Sequence, residues 1–145
     1  MGPIAPSEVA VARTPLRSYR ELVVWQKAIA LVIEVYEITE AFPRDEIYGL
    51  TSQLRRSAVS VPSNIAEGHG RATKGEFIQF LCHARGSLCE VQTQTVIARR
   101  LRDITQEQEE AVIARTDEVG RILNGLITSL EHKKSRPTAS LATIP

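Results

Sequence analysis

Apolar residues recur at intervals of three and four along most of the chain, which is the spacing of one face of an α-helix. Four separate stretches show this spacing, and Pro43 and the glycines Gly68 and Gly70 separate the first three. No stretch alternates apolar and polar residues as a half-buried strand would. The pattern therefore predicts an all-α protein, an antiparallel up-down-up-down four-helix bundle with short turns at 42–45, 69–72 and 102–104.

The first stretch begins at "SYRE", where Ser18 and Glu21 have the spacing of a capping box. In such a box each side chain satisfies a free amide of the helix start. The predicted core stripe consists of Leu22, Trp25, Ala28, Val32, Val35 and Ile38. Further apolar residues cover much of the helix circumference. This predicts burial on more than one side, either inside the bundle or against another subunit.

The second stretch has a proline, Pro62, in the middle of its apolar stripe. The stripe comprises Ile47, Leu50, Leu54, Ala58, Val61 and Ile65, and it keeps its helical phase across the proline. A loop would have no reason to keep that phase. The sequence therefore predicts one helix of about 22 residues that starts near 44–46, is kinked at Pro62 and ends at Gly68 or Gly70. The alternative is a helix that ends near Ser60, followed by a short one with the proline in its first turn.

Capping boxes also begin the third and fourth stretches, at Thr73 with Glu76 and at Thr105 with Gln108. The third carries a heptad stripe typical of near-parallel helix packing: Phe77, Leu81, Ala84, Leu88, Val91, Thr95 and Ala98. The apolar face of the fourth consists of Val112, Val119, Leu123, Leu126 and Leu130. The flanking sequence has no periodicity, which predicts a bundle at 18–132 between disordered tails at 1–17 and 133–145.

Composition narrows the class of protein. The 145 residues are 43% hydrophobic and 24% charged, as is usual for a single globular domain. The chain has no run of about 18 apolar residues and its first residues lack the apolar core of a signal peptide, so we expect a cytoplasmic protein. Cys82 and Cys89 lie seven residues apart on one predicted helix, too far for a mutual disulfide. They are expected to be buried free thiols, the alternative being a bridge to another copy of the chain.

Sequence patterns typical of enzymes are missing. The chain has no Gly-rich phosphate loop, no zinc-spaced cysteine and histidine cluster and no nucleophile motif. No glutamate is followed three residues later by a histidine, the pair that di-metal four-helix bundles use. The sequence therefore predicts a non-enzymatic protein without catalytic residues, cofactor or metal.

The net charge of +1 is unevenly distributed along the chain. Residues 20–46 carry a net charge of −3, residues 47–106 a net charge of +4 and residues 107–131 a net charge of −4. The basic residues that could neutralise nucleic-acid phosphates lie in the middle segment: Arg55, Arg56, Arg71, Lys74, Arg99, Arg100 and Arg102. The alternative is that they form ion pairs with the acidic faces of the first and fourth helices, within the bundle or between subunits.

Three segments of the chain are distinctive: "YRELVVWQKAIALVIEVYEIT", "YGLTSQLRRSAVSVPSNIAEGHGR" and "KGEFIQFLCHARGSLCEVQTQ". They closely resemble the bacterial four-helix-bundle proteins encoded in intervening sequences of 23S ribosomal RNA genes. The resemblance covers about residues 19–130. That family is similar in turn to the accessory variability proteins of diversity-generating retroelements.

The resemblance implies a ring-shaped homopentamer of unknown function. It also implies RNA or DNA as a ligand and a reverse transcriptase or another protein as a partner. The lack of a long apolar run, rather than the resemblance, predicts that no membrane is bound. The resemblance transfers no catalytic residue. The family motif is matched at Arg55, Arg56, Pro62, Asn64, Glu67, Gly68, Gly70 and Arg71. The retroelement protein is strongly basic, whereas this chain has a net charge of only +1.

The sequence leaves two functions open. The first is a non-enzymatic oligomeric bundle that binds RNA or a ribonucleoprotein through its basic surface patches. The second is an oligomeric protein–protein adaptor or scaffold without a nucleic-acid ligand. In both, the kinked end of the second helix, near Asn64, Glu67 and Arg71, is expected to meet a neighbouring subunit.

Overall fold

The structure, a computed structural model, describes residues 18–142, with side chains up to residue 132. Four α-helices follow one another in this range: α1 at Val23–Thr39, α2 at Leu50–His69, α3 at Lys74–Arg100 and α4 at Gln106–Ala142. Each helix packs against the next one along the chain, and α1 also packs against α4. The described range contains no strand, so the predicted all-α four-helix bundle is confirmed.

The structure describes only part of the two predicted tails. Residues 1–17 lie outside the described residues, so disorder there stays a prediction. The backbone of α4 is helical as far as Ala142, into the segment 133–145 for which the sequence predicts a second disordered tail.

The core is a continuous column of apolar side chains between the four helices. On α3 the predicted heptad stripe is buried from Leu81 to Ala98, and Phe77 before it is half-buried. The predicted face of α4 is confirmed in part: Val112, Val119 and Leu123 are buried, whereas Leu126 and Leu130 are half-buried against the core. The face also includes two buried residues that the sequence analysis missed, Thr116 and Ile127.

The structure corrects the face that α1 turns toward the core. Its buried residues are Val24, Ala28, Leu31, Val35, Ile38 and Thr39. Three members of the predicted stripe, Leu22, Trp25 and Val32, are only half-buried. Because α1 is apolar around most of its circumference, spacing alone does not fix its rotation about its own axis. The neighbouring helices decide which of two overlapping stripes is buried.

The start of α1 also differs from the prediction. The Ser18 hydroxyl accepts a hydrogen bond from the backbone N–H of Arg20, at 3.1 Å, and caps a 3₁₀ turn at Tyr19–Glu21. The α-helix begins at Val23, after an extended Leu22 whose side chain provides no cap. The predicted capping box at Ser18 is therefore wrong, because a tighter turn uses the same residues.

The other two predicted helix starts are confirmed. The Thr73 hydroxyl accepts from the backbone N–H of Glu76 at 3.1 Å. Thr105 and Gln108 form the reciprocal pair, with each side chain accepting from the backbone N–H of the other residue at 3.0 and 2.9 Å. The first free amides of α3 and α4 are thus satisfied locally.

α2 is one helix that runs through Pro62, which is buried. The alternative of two helices separated near Ser60 is excluded, whereas the kink at the proline stays a prediction. Gly70 follows the last helical residue and caps the helix end, as predicted. The start is later than predicted, because Arg44–Glu46 form a 3₁₀ turn and the helix begins at Leu50. Ile47 is consequently 51% exposed rather than in the core.

Small and hydroxyl side chains line the contact between α2 and α3. The Ser57 hydroxyl lies 3.0 Å from Oε1 of Gln94, and the hydroxyls of Ser60 and Ser87 lie 2.8 Å apart. Asn64 donates to the Ser60 carbonyl at 2.8 Å. These pairs satisfy polar groups at the helix contact, which would otherwise lose hydrogen bonds to water on packing.

The two helices approach each other closely at Gly68 in the last turn of α2. A Cβ atom at this position would lie 2.6 Å from Cβ of Phe80 and 3.0 Å from Cδ1 of Phe77. The Phe80 Cβ cannot move away by a side-chain rotation, since it is fixed to the backbone of α3. Only glycine allows this separation of the helices.

We predict that Gly68→Ala lowers the free energy of unfolding by about 1–2 kcal/mol, because overpacking outweighs the better helix propensity of alanine. Urea unfolding at one fixed protein concentration measures the change. Gly86→Ala is the matched control: a Cβ there meets nothing within 4 Å, so we expect stabilisation of up to about 1 kcal/mol. Equal effects of the two substitutions would contradict the close approach at Gly68.

Candidate nucleic-acid interface

The bundle separates the seven predicted basic residues into two groups at opposite ends. Arg71 and Lys74 lie at the turn between α2 and α3. The others lie in the first part of α2 or around the end of α3: Arg55, Arg56, Arg99, Arg100 and Arg102. At about 1.5 Å per residue, the length of α3 places Lys74 about 40 Å from Arg100. The seven residues therefore do not form one continuous site.

Arg55 is held by its own subunit. Its Nε donates to the Thr39 hydroxyl at 2.8 Å, and its guanidinium lies over the Tyr36 ring, 4.4 Å from the ring centroid. Both partners belong to α1, and neither is a carboxylate. Arg55 thus connects α2 to α1 by a hydrogen bond and a cation–π contact.

Arg71 is also engaged within its own subunit. Its guanidinium forms a salt bridge with Glu67, one turn earlier, at 2.8 Å and lies 4.7 Å from the centroid of the Phe80 ring. Both groups of this pair are largely solvent-exposed, so the salt bridge itself contributes little stability. The pair and the ring nevertheless fix where the guanidinium points.

The side chains of the remaining five candidates have no hydrogen bond or ion pair to any described residue: Arg56, Lys74, Arg99, Arg100 and Arg102. The acidic residues Glu34 of α1 and Glu118 of α4 form ion pairs with each other's helix and not with these five candidates. Arg115 binds Glu34 at 2.7 Å, and Lys27 binds Glu118 at 3.1 Å. Pairing of the candidate arginines with α1 or α4 of the same subunit is therefore not found in the described range. Pairing between subunits stays a prediction.

The arginines at the end of α3 surround an unusual helix terminus. Arg102 has a φ of 66°, in the left-handed region that glycine usually occupies after a helix. Its N–H donates to the Arg99 carbonyl at 3.0 Å, and the N–H of Asp103 donates to the Ala98 carbonyl at 2.9 Å. These two bonds are those of a Schellman motif. An arginine therefore occupies a position where a side chain costs about 1–2 kcal/mol.

We predict that Arg102→Gly raises the free energy of unfolding by about 0.5–1 kcal/mol, because glycine removes the strain but gains entropy in the unfolded chain. Arg102→Ala is the control, since it removes the same charge and keeps Cβ. Thermal or urea unfolding of the two variants tests the point. If alanine stabilises as much as glycine, charge repulsion and not backbone strain is the cause.

Two surface grooves were not foreseen from the sequence. One lies between α1 and α2, with a volume of about 410 Å³, and is lined by Tyr36, Ile47, Thr51, Ser52, Arg55, Arg56 and Val59. The other lies between α2 and α3, with a volume of about 480 Å³, and is lined by Gln53, Arg56, Ser57, Ser60, Glu90 and Gln94. Arg56 is common to both. The sequence signal for the first groove was the excess of apolar residues on α1, which indicated a second contact surface without locating it.

Three further features bear on function: the exposure of the cysteines, groups of metal-ligating side chains and membrane-spanning helices. Cys82 and Cys89 are both free, but only Cys82 is half-buried; Cys89 is exposed, so its predicted burial is wrong. Within residues 18–132, no three His, Cys, Asp or Glu side chains are placed to share a metal ion. None of the helices in the described part has the length and apolar character needed to cross a membrane.

Comparisons with known proteins give one family and one fold. The family model described as "23S rRNA-intervening sequence protein" matches residues 20–125. A crystal structure of a protein with unknown function from the S23 ribosomal protein family of Bacteroides thetaiotaomicron VPI-5482 superposes with a TM-score of 0.68. It is 22% identical, and the match covers 73% of this chain and 96% of that chain. At that identity the likeness shows the fold alone. The comparison with curated proteins gave no match.

Proposed function

The chain belongs to the 23S rRNA-intervening sequence protein family, and from that premise we propose that it is a non-enzymatic, homo-oligomeric bundle that binds structured RNA. The supporting observation is the arginine corner, which we define as Arg99, Arg100 and Arg102 at the C-terminal end of α3. None of its side chains has a partner among the described residues. The proposal includes a cytoplasmic location, where RNA is available.

Arginines grouped in this way suit phosphate recognition. A guanidinium presents a planar fork of N–H donors that matches two phosphate oxygens, and each contact releases a counterion from the nucleic acid. The negative end of the α3 dipole explains why basic residues are favourable in the last helical turn. It does not explain Arg102, which lies beyond the helix in a conformation that costs energy. Residues held in a strained backbone conformation cluster at ligand-binding sites, which supports a binding role for Arg102.

Replacing arginines of the arginine corner with glutamate should weaken RNA binding. We expect Arg100→Glu with Arg102→Glu to weaken the binding of a structured RNA at least ten-fold at low salt. The slope of log affinity against log salt should fall by about 2, one for each phosphate contact removed. Gel-shift titration at several salt concentrations measures both quantities.

The matched control carries the same change in charge elsewhere on the surface. Arg20→Glu with Arg121→Glu replaces two exposed basic residues that are not among the seven candidates, and we expect wild-type affinity. Equal weakening by the two double variants would overturn the assignment to the corner. No binding by the wild-type protein at low salt would overturn RNA binding altogether, and would favour the adaptor function in which the arginines form ion pairs between subunits.

The homo-oligomer is supported independently by the surface of α1. Val23 is 56% exposed and Ile33 is 55% exposed, and the Tyr36 ring is also accessible. Several large apolar side chains on one helix exceed the scattered exposure that a monomer usually shows. A second subunit would remove them from water.

We expect light scattering at micromolar concentration to give a multiple of the 16.1 kDa subunit mass, with five subunits as the proposed number. The apolar surface of α1 provides the physical reason, since its burial is favourable at about 25 cal/mol per Å². A mass of one subunit at tens of micromolar would contradict the oligomer. Any other multiple would contradict the pentamer only.

A further inference from the structure

The groove between α1 and α2, called here the α1/α2 groove, has an apolar and cationic lining. Tyr36, Ile47 and Val59 are 41%, 51% and 39% exposed. Arg55 and Arg56 supply positive charge, and none of the described residues that line the groove is a carboxylate. A surface of this kind fits a helix that carries small apolar residues together with carboxylates.

The polar side chains of the groove are also preorganised for binding. Arg55 is fixed by Thr39 and Tyr36, so little side-chain entropy is lost when a carboxylate approaches it. The hydroxyl oxygen of Thr51, in the groove lining, is buried and has no hydrogen-bond partner within the described part of the chain. An unsatisfied buried hydroxyl costs about 1–3 kcal/mol, which an acceptor entering the groove would recover after a rotation about χ1.

The first two turns of α4 present the complementary surface. Glu107, Glu110, Ala111 and Ala114 are all exposed and follow the spacing i, i+3, i+4 and i+7, which places them on one helix face. We call them the α4 face. Its two alanines leave room for the Tyr36 and Val59 side chains of a groove, and its two glutamates match the arginines in charge.

We propose that the α4 face of one subunit docks into the α1/α2 groove of a second copy of this chain. The inference rests on the proposed homo-oligomer and names its contact. Glu107 and Glu110 would bind Arg55 and Arg56 of the neighbour, while Ala111 and Ala114 would cover its apolar side chains. Because the two surfaces are different patches of one subunit, the contact is head-to-tail. Each subunit contributes its groove to one neighbour and its α4 face to the other.

The position of the two surfaces along the bundle supports a closed ring. The α1/α2 groove is formed by the last turn of α1 and the first part of α2, and the α4 face by the first turns of α4. All of these lie at the same end of an antiparallel bundle. Subunits standing side by side with parallel axes therefore bring groove and face together without a shift along the axis, which would otherwise build a filament.

This contact is at the opposite end from the turn near Asn64, Glu67 and Arg71, where the sequence predicts a neighbour. The side chains at that turn already have partners in their own subunit. Asn64 is bonded to Ser60, and Arg71 to Glu67. The α1/α2 groove has both an unpaired arginine and an unsatisfied hydroxyl, so it gains more from a partner.

A charge exchange tests the contact. We expect Arg56→Glu alone, and Glu110→Arg alone, each to raise the dissociation constant of the assembly at least ten-fold. The chain that carries both substitutions should assemble more tightly than either single variant, since the reversed charges again attract while Arg55 and Glu107 keep their own. Analytical ultracentrifugation across a concentration series measures the constants, and circular dichroism verifies the helical fold of each variant.

The controls are reversals of charge outside the proposed contact. Lys74→Glu matches Arg56→Glu, and Glu131→Arg lies on α4 beyond the face; both should assemble as the wild type does. An oligomeric wild type whose groove and face variants behave like these controls would overturn this contact and leave the proposed oligomer standing. A monomeric wild type would overturn both.

A second variant distinguishes an effect on assembly from an effect on the stability of the subunit. Thr51→Val keeps the shape of the side chain and removes a hydroxyl that has no partner in the isolated subunit, so the subunit should be at least as stable as before. Assembly should nevertheless weaken several-fold, because the acceptor from the neighbour loses its donor. Assembly as tight as that of the wild type would contradict the burial of this hydroxyl at the contact.

Discussion

The close contact between α2 and α3 organises the whole bundle. Gly68 has no side chain, which lets the last turn of α2 approach the backbone of α3 at Phe80. Paired hydroxyls at Ser60 and Ser87 continue the contact along the helices without leaving polar groups unsatisfied. This antiparallel hairpin fixes the register of the two helices, and the start of α2 is therefore beside the end of α3.

The register of α2 and α3 determines at which end of the bundle each basic residue lies. Arg56 and the arginine corner share one end of the bundle, whereas Arg71 and Lys74 are at the other. The carboxylates Glu34 and Glu118 are already neutralised by bases on the helices they face, so they are not available to the arginines of α2 and α3. A chain with a net charge of only +1 can thus present a concentrated positive corner.

The two proposals strengthen one another physically. In a closed ring with parallel axes, every subunit would carry its arginine corner on the same rim. Weak phosphate contacts from several subunits would then act on one RNA at a high effective concentration, so avidity could replace the strong net charge that the chain does not have. Arginine strained at φ 66° in each subunit is consistent with a surface shaped for contact rather than for the stability of a single subunit.

Features that depend on neighbours along the chain could be predicted from the amino-acid sequence. Thr73 and Thr105 mark helix starts because their hydroxyls reach an amide three residues away. The continuous phase across Pro62 identified α2 as one helix, and the heptad spacing of α3 gave its buried face. Short-range hydrogen bonds and helical geometry suffice for these conclusions.

Features that depend on residues distant in the sequence could not be predicted before the helices were seen packed together. The rotation of α1 was undetermined because its apolar residues surround the helix, and contacts with α2 and α4 select one face. The sequence also left undetermined which basic residues are free to bind a ligand. Arg55 is bound to Tyr36 and Thr39 on another helix, while Arg56 beside it has no partner among the described residues. Two adjacent arginines that look equivalent in the sequence differ because they point toward different neighbours, and that direction exists only once the helices have packed.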